Sequence, residues 1–201
     1  MKTAVFTALA LLLATSVPAS AAPAAVTYKL RATALGQTAE FLLDQPLDAT
    51  APTAVAPGGT VTAVIDPAPN QVPAQAGGYT VRDIKTITLK LPVPANSTFQ
   101  SATATGGAGL GGTPTIALSG TDVVLKVPGP IKGGANFELP TITLTLQAAA
   151  SGTITTQLGG TSYTAPGLTF TATITALGFP ISAPATGYPD PNPVLTTTTI
   201  G

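Results

Sequence analysis

Acid–base chemistry in this chain falls to its carboxylates, because the sequence contains no histidine and no cysteine. Glu40, Asp44, Asp48, Asp66, Asp83, Asp122, Glu138 and Asp190 are the candidates. Glycoside hydrolysis would need two of them about 5 to 10 Å apart in a cleft. Their scatter through strand ends and turns suits solubility better than such a pair. A serine or threonine nucleophile needs a base, and without histidine that base would be lysine. Lys85, Lys90, Lys126 and Lys132 stand in strands or turns and form no Ser-x-x-Lys pattern. Zinc prefers His or Cys and calcium a cluster of oxygens; Asp190-Pro191-Asn192 is too thin for either. The glycine run Gly106 to Gly112 lacks the Lys-Ser/Thr of a phosphate loop and reads as a hairpin connection. Lys90 with Asn136 and Glu138 is the one conceivable isopeptide set. The expectation is no catalytic residue, no cofactor and no metal.

Binding chemistry has more to work with. Thr141, Thr143 and Thr145 alternate with apolar residues, as do Thr169, Thr171 and Thr173, and each set would line one face of a strand. Such hydroxyl stripes could hydrogen-bond a polysaccharide, although β-branching alone also favours threonine on exposed strands. Tyr28, Tyr79, Tyr163 and Tyr188 are further candidates; Tyr163 precedes a Pro-Gly turn and Tyr188 lies in a proline-rich segment, so these two are the candidate sugar contacts.

These residues must be positioned by strands. Val61, Ala63 and Ile65, then Ile87, Leu89 and Leu91, then Ile142, Leu144 and Leu146, then Leu168, Phe170, Ala172 and Ile174 each face one way with polar neighbours between them. That period of two marks sheets with one buried face. Further strands are predicted at Val26 to Thr33, Ala39 to Leu43, Phe99 to Thr105, Thr115 to Leu118, Val123 to Val127 and Thr153 to Leu158. Gly and Pro clusters between the runs, such as Pro57-Gly58-Gly59 and Gly133-Gly134, predict antiparallel connections. The pattern predicts an all-β domain over 22–183: an immunoglobulin-like sandwich of about seven to nine strands, with an up-and-down barrel as the alternative. A Pro/Thr-rich segment follows at 184–201, and its Thr196 to Thr199 run reads as frayed or O-glycosylated.

The first twenty-one residues read as a Sec signal peptide. Lys2 supplies the positive start, Ala4 to Ala14 the apolar core, and Ala19-Ser20-Ala21 the small residues before cleavage at Ala22. The apolar run is about half the ~20 residues of a membrane span. Secretion is therefore expected, with loose wall association and no membrane anchor after cleavage. Only 8% of residues are charged, with eight basic against eight acidic. Such a balance offers nothing to nucleic acid. An apolar fraction of 44% with clean alternation argues for a packed core over disorder.

Ile87 to Phe99, Ser101-Ala102-Thr103, Val123 to Val127, Gly133 to Phe137 and Thr141 to Leu146 together resemble the immunoglobulin-like repeat of bacterial surface proteins. A broader resemblance is to small secreted actinobacterial proteins of unassigned function. It rests on Ala54 to Gly59, Pro92 to Asn96, Val127 to Ile131, Gly160 to Tyr163, Pro166 to Thr171 and the ending from Tyr188-Pro189 to Ile200. That resemblance implies a Cys pair tying the first strand to the segment before Tyr188-Pro189. Residues such as Leu30 and Gly187 stand in those neighbourhoods here.

The function expected from the sequence is structural or adhesive, in the cell envelope or extracellular space, through contact with wall polysaccharide or a surface protein. A carboxylate-based hydrolase is the enzymatic alternative. A soluble inhibitor or signalling protein is a third reading, which hydrophobic loop tips would favour over a flat threonine face.

Overall fold

A computed structural model describes residues 18–20 and 24–201. The leader read at Met1 to Ala21 lies outside the described residues, apart from Pro18–Ser20, which pair antiparallel with Thr50–Pro52. The described residues are all-β, with no helix.

Ten strands form the main path: β1 (Ala24–Ala34), β2 (Gln37–Pro52), β3 (Thr60–Pro67), β4 (Tyr79–Pro92), β5 (Ser97–Thr105), β6 (Thr115–Ser119), β7 (Asp122–Val127), β8 (Thr141–Ala148), β9 (Leu168–Ala176) and β10 (Phe179–Pro189). Their order in space is β6-β7-β4-β9-β10-β1-β2-β3-β8-β5, every pairing antiparallel. The end strands β5 and β6 lie against each other without pairing, so one sheet nearly closes on itself. This corrects the expectation of seven to nine strands: the described residues hold eighteen, counting short ones. The ring interior is a single core that includes Val26, Leu30, Ile65, Leu91, Leu125, Ile142 and Leu146.

Local irregularities shape the ring. Along β4 the inward residues are Val81, Ile84, Ile87, Leu89 and Leu91, so the alternation slips twice. Each slip is a bulge against β9, one at Arg82 and one near Thr86, whose φ is 52°. An extra residue on one strand bends it and increases its twist, which a closing sheet requires. The predicted β3, β5, β6, β7, β8 and β9 match closely, but β10 goes beyond the sequence reading. Pro180 and Pro184 are tolerated there because β10 pairs with β1 only from Ala185 onward, leaving both prolines beside an unpaired edge.

Two loops also depart from expectation. Gly106 to Gly112 does not close a hairpin, since β5 and β6 are unpaired. The run folds across residues 129–138 instead, burying Leu110 and bringing Gly111 so close that a Cβ would sit 2.1 Å from the Pro130 carbonyl oxygen. The C-terminal threonines form a strand rather than a frayed end. Thr196–Ile200 pairs antiparallel with Gly152–Thr156 and parallel with Ala54–Val55. Thr198 is buried and its hydroxyl donates to the Pro52 carbonyl at 2.6 Å.

Leu30 and Gly187 are direct register partners between β1 and β10. Gly187 leaves the space that Leu30 fills: a Cβ there would lie 2.2 Å from Leu30 Cδ2.

Candidate ligand-binding site

The ring is not filled throughout. β2 pairs with β1 along Gln37–Leu47 but with β3 only at Leu47–Thr50. Among the described residues no strand pairs with the other edge of Gln37–Pro46. The chain from Gln71 to Gly77 crosses beside this seam, where Gly77 approaches Ala39. Behind the seam lies a cavity of about 120 Å³. β1 contributes Tyr28 and Leu30, β2 Leu43 and Leu47, β4 Ile84 and Ile87, and β9 Leu168 and Phe170. A second hollow of about 320 Å³ continues toward the β1–β2 hairpin, lined by Ala32, Ala34, Ala39, Tyr79, Ile174 and Ala183. The two share Phe41, Ala76, Val81, Phe170 and Ala172 in their walls, so they lie next to each other. From Tyr28 to Ala34 the pair follows β1 for six residues, roughly 20 Å at the strand rise.

Small side chains create the opening. At the hairpin end the inward positions are Ala32, Ala34, Ala39, Ala172 and Ala183, where the deep end carries Leu, Ile and Phe. The first hollow has three polar side chains in its wall: Tyr28, Gln45 and Gln71, the last exposed and donating to the Gly134 carbonyl at 3.0 Å. Gln45 is buried but satisfied: its Nε2 donates to the Pro46 and Ala68 carbonyls at 2.8 and 2.9 Å, and its Oε1 accepts from Asn70 at 3.1 Å. Tyr28 is 2% exposed, and its hydroxyl has no hydrogen-bond partner among the described residues. Burial alone pushes its ionisation well above the ordinary tyrosine range. A buried hydroxyl left unpaired is costly, and a wall this apolar gives it nothing. The arrangement suits a slender, mainly apolar molecule.

Tyr28 and Tyr79 line the two hollows, but the threonine stripes, Tyr163 and Tyr188 lie outside them. Thr141, Thr143 and Thr145 occupy the outer face of β8, and Thr141 donates to Asp66 at 2.6 Å. Thr169, Thr171 and Thr173 occupy the outer face of β9, five strands away along the sheet. Thr171 accepts from Thr86 at 3.3 Å and Thr173 donates to Asp83 at 2.8 Å. The structure does not bring the two stripes together. It does join Tyr163 and Tyr188, whose rings meet edge to face with centroids 5.2 Å apart. The Arg31 guanidinium covers one face of Tyr163 at 3.9 Å and also pairs with Glu40 at 2.8 Å. Partial desolvation, then the Glu40 charge, push the Tyr163 hydroxyl above its usual range, with Arg31 opposing. Lys29 pairs with Asp190 beside this cluster. Arg31 thus takes one of the ring faces that a sugar would use.

Among the carboxylates, Asp48 and Asp66 are cross-strand partners. Both stand on the exposed outer face, away from any cleft. Sequence reasoning named Tyr28 and Tyr79 among its tyrosine candidates but did not place them at a cavity, and it missed Phe41 and the alanines. A polar aromatic at an inward position of β1 was the available signal.

No known family matches the chain, and no curated protein matches it. Among solved structures it is similar to a protein of Corynebacterium diphtheriae described as membrane-anchored, with a TM-score of 0.59 and 16% identity. The likeness covers 90% of this chain and 38% of that one, and it is a likeness of fold.

Proposed function

We propose that this protein is a secreted, non-catalytic carrier of the cell envelope or extracellular space, binding an acyl-chain molecule inside its β-ring. The carrying observation is the apolar cavity whose wall includes Tyr28, with its hydroxyl unpaired among the described residues. Ligand sites are commonly apolar hollows with few, well-placed polar groups, and this one follows that pattern. Kinship with small secreted actinobacterial proteins and immunoglobulin-like surface modules belongs to the same proposal. The description of the Corynebacterium protein as membrane-anchored supports an envelope setting.

Adhesion to wall polysaccharide or a surface protein is the second reading. The Tyr163–Tyr188–Arg31 cluster favours it. So does the unpaired β2 edge, where Leu42 is 68% exposed and an extended peptide could add as a strand.

The test is a fluorescence titration with cis-parinaric acid, which brightens in apolar surroundings, followed by displacement with palmitic acid. One saturable site is expected, lost in Ala172→Phe, which puts a bulky ring on the wall that the two hollows share. Absence of saturable binding, with no lipid found on the purified protein by native mass spectrometry, would overturn the carrier reading.

A further inference from the structure

Three two-residue hairpins lie side by side at the end of the sheet beside the second hollow. They close at Gly77-Gly78, Leu177-Gly178 and Leu35-Gly36, with last pairs Ala76↔Tyr79, Ala176↔Phe179 and Ala34↔Gln37. The strands joined are consecutive in the sheet, so the three tips share one end. Both central residues of each turn have positive φ, the type I′ geometry. That geometry favours Asn-Gly or Gly-Gly, and the middle hairpin follows the rule. The other two place leucine at the first position, Leu35 at φ 52° and Leu177 at φ 51°, in the same Ala-Leu-Gly sequence.

Leucine there is doubly disfavoured. Its branched side chain resists the left-handed region, and the turn holds it in solvent. Leu177 is 89% exposed, Leu35 53%, and neighbouring Phe179 68%. Local rules broken twice in adjacent turns mark a function more often than an accident. The tips also carry no charge: Ala32 to Ala39, Val72 to Val81 and Ala172 to Pro189 contain no Asp, Glu, Lys or Arg. The hollow lined by Ala34, Tyr79 and Ile174 opens among them.

We propose that this end docks on a lipid bilayer, with Leu35, Leu177 and Phe179 entering the acyl boundary, so that the cavity exchanges its ligand with the hydrocarbon phase without crossing water. The inference rests on the carrier reading and adds the source of the ligand. An apolar rim around an apolar channel is continuous with hydrocarbon, and water is the worse partner for both. Uncharged tips make the docking independent of anionic lipid and of salt.

The test is flotation of the purified protein with vesicles of pure phosphatidylcholine and of phosphatidylcholine mixed with phosphatidylglycerol, at low and high salt. Comparable binding to both, unchanged by salt, is expected. The variant Leu35→Asn/Leu177→Asn installs the favoured turn residue, so it keeps the fold while removing the apolar tips. Its vesicle binding should fall by about a hundredfold, roughly tenfold per leucine withdrawn from the acyl boundary. Its equilibrium binding of cis-parinaric acid should stay unchanged, while transfer of the probe from vesicle to protein slows. Vesicle binding that survives the double substitution, or that requires phosphatidylglycerol and disappears in salt, would overturn the proposal. Tips that instead mediate self-association would show as a concentration-dependent dimer lost in the variant, with no vesicle binding by either protein; this too would overturn it. Docking without parinaric acid binding would instead remove the carrier reading and leave a membrane-binding end.

Discussion

Replacing Tyr28 by phenylalanine should make the empty protein more stable and the loaded protein less well bound. The ring is 2% exposed and stays packed after the change, while the hydroxyl, which has no partner among the described residues, is removed. An unsatisfied buried hydroxyl costs about 1–3 kcal/mol, and the variant should recover that amount. For a chain of this size the melting temperature would rise by about 2–4 °C for each kcal/mol. Urea unfolding at neutral pH would show a higher midpoint at unchanged slope. Affinity for palmitic acid should fall in parallel, by about threefold to tenfold, if its polar group meets that hydroxyl. Alkaline titration gives an independent reading. Burial raises the ionisation of Tyr28 in the folded protein, so the unfolded chain releases this proton first as pH rises. The unfolded state then binds fewer protons, and the stability contributed by neutral Tyr28 declines above its unfolded value of about 10, by up to ~1.4 kcal/mol per pH unit. That part of the alkaline decline should be missing in Tyr28→Phe. A variant less stable at neutral pH, with the alkaline decline intact, would show that the hydroxyl is neither unpaired nor buried, and the site argument would fail.

Gly187→Ala should lose about 1–3 kcal/mol in urea unfolding, because the new methyl overlaps Leu30 Cδ2 at 2.2 Å. Leu30→Cys/Gly187→Cys, by contrast, should oxidise spontaneously, since the two residues face each other across β1 and β10. Loop closure would add roughly 4–5 kcal/mol against about 2–3 kcal/mol of lost Leu30 burial, so reduction should visibly lower the melting point. Thr198→Val should cost about 1–3 kcal/mol by stripping the Pro52 carbonyl of its donor. Amide exchange should then speed up along Thr196–Ile200, and an unchanged exchange pattern would show that this strand is held by something else.

Strands whose two faces differ were legible in the sequence. Thr141–Ala148 alternates without a break because β8 lies between β3 and β5 over nearly its whole length. The first half of β4 was not legible, because bulges at Arg82 and near Thr86 shift the inward set by one residue each time. β10 was hidden behind Pro180, Pro184 and Gly187, each acceptable for a reason that only pairing reveals. The strand count was low for a related reason. Alternation marks a strand with one buried face, and the short strands at Asn70–Gln71 or Ala54–Val55 are too brief to alternate. The cavity was illegible in principle. Its walls read as ordinary core, and the hollow arises from where alanines face one another across strands distant in sequence. The threonine stripes were visible as strand faces, yet no pattern of alternation says whether a hydroxyl has a neighbour such as Asp66 or Asp83.

The pairing of β1 with β10 bears on how the chain reaches this shape. β1 begins at Ala24 and its partner ends at Pro189, so the ring is joined by segments from opposite ends of the described chain. A polypeptide emerging amino-terminus first would hold β1 and β2 as a hairpin with one edge of β1 bare until nearly everything else had appeared. Long-range closures of this kind are slow, and unpaired strand edges attract other chains while they wait. The last strand, Thr196–Ile200, then bonds to Ala54–Val55 and Gly152–Thr156, segments formed much earlier. The finished sheets therefore need residues from both ends of the described chain, and a nascent chain stalled before Gly187 would leave one edge of β1 bare.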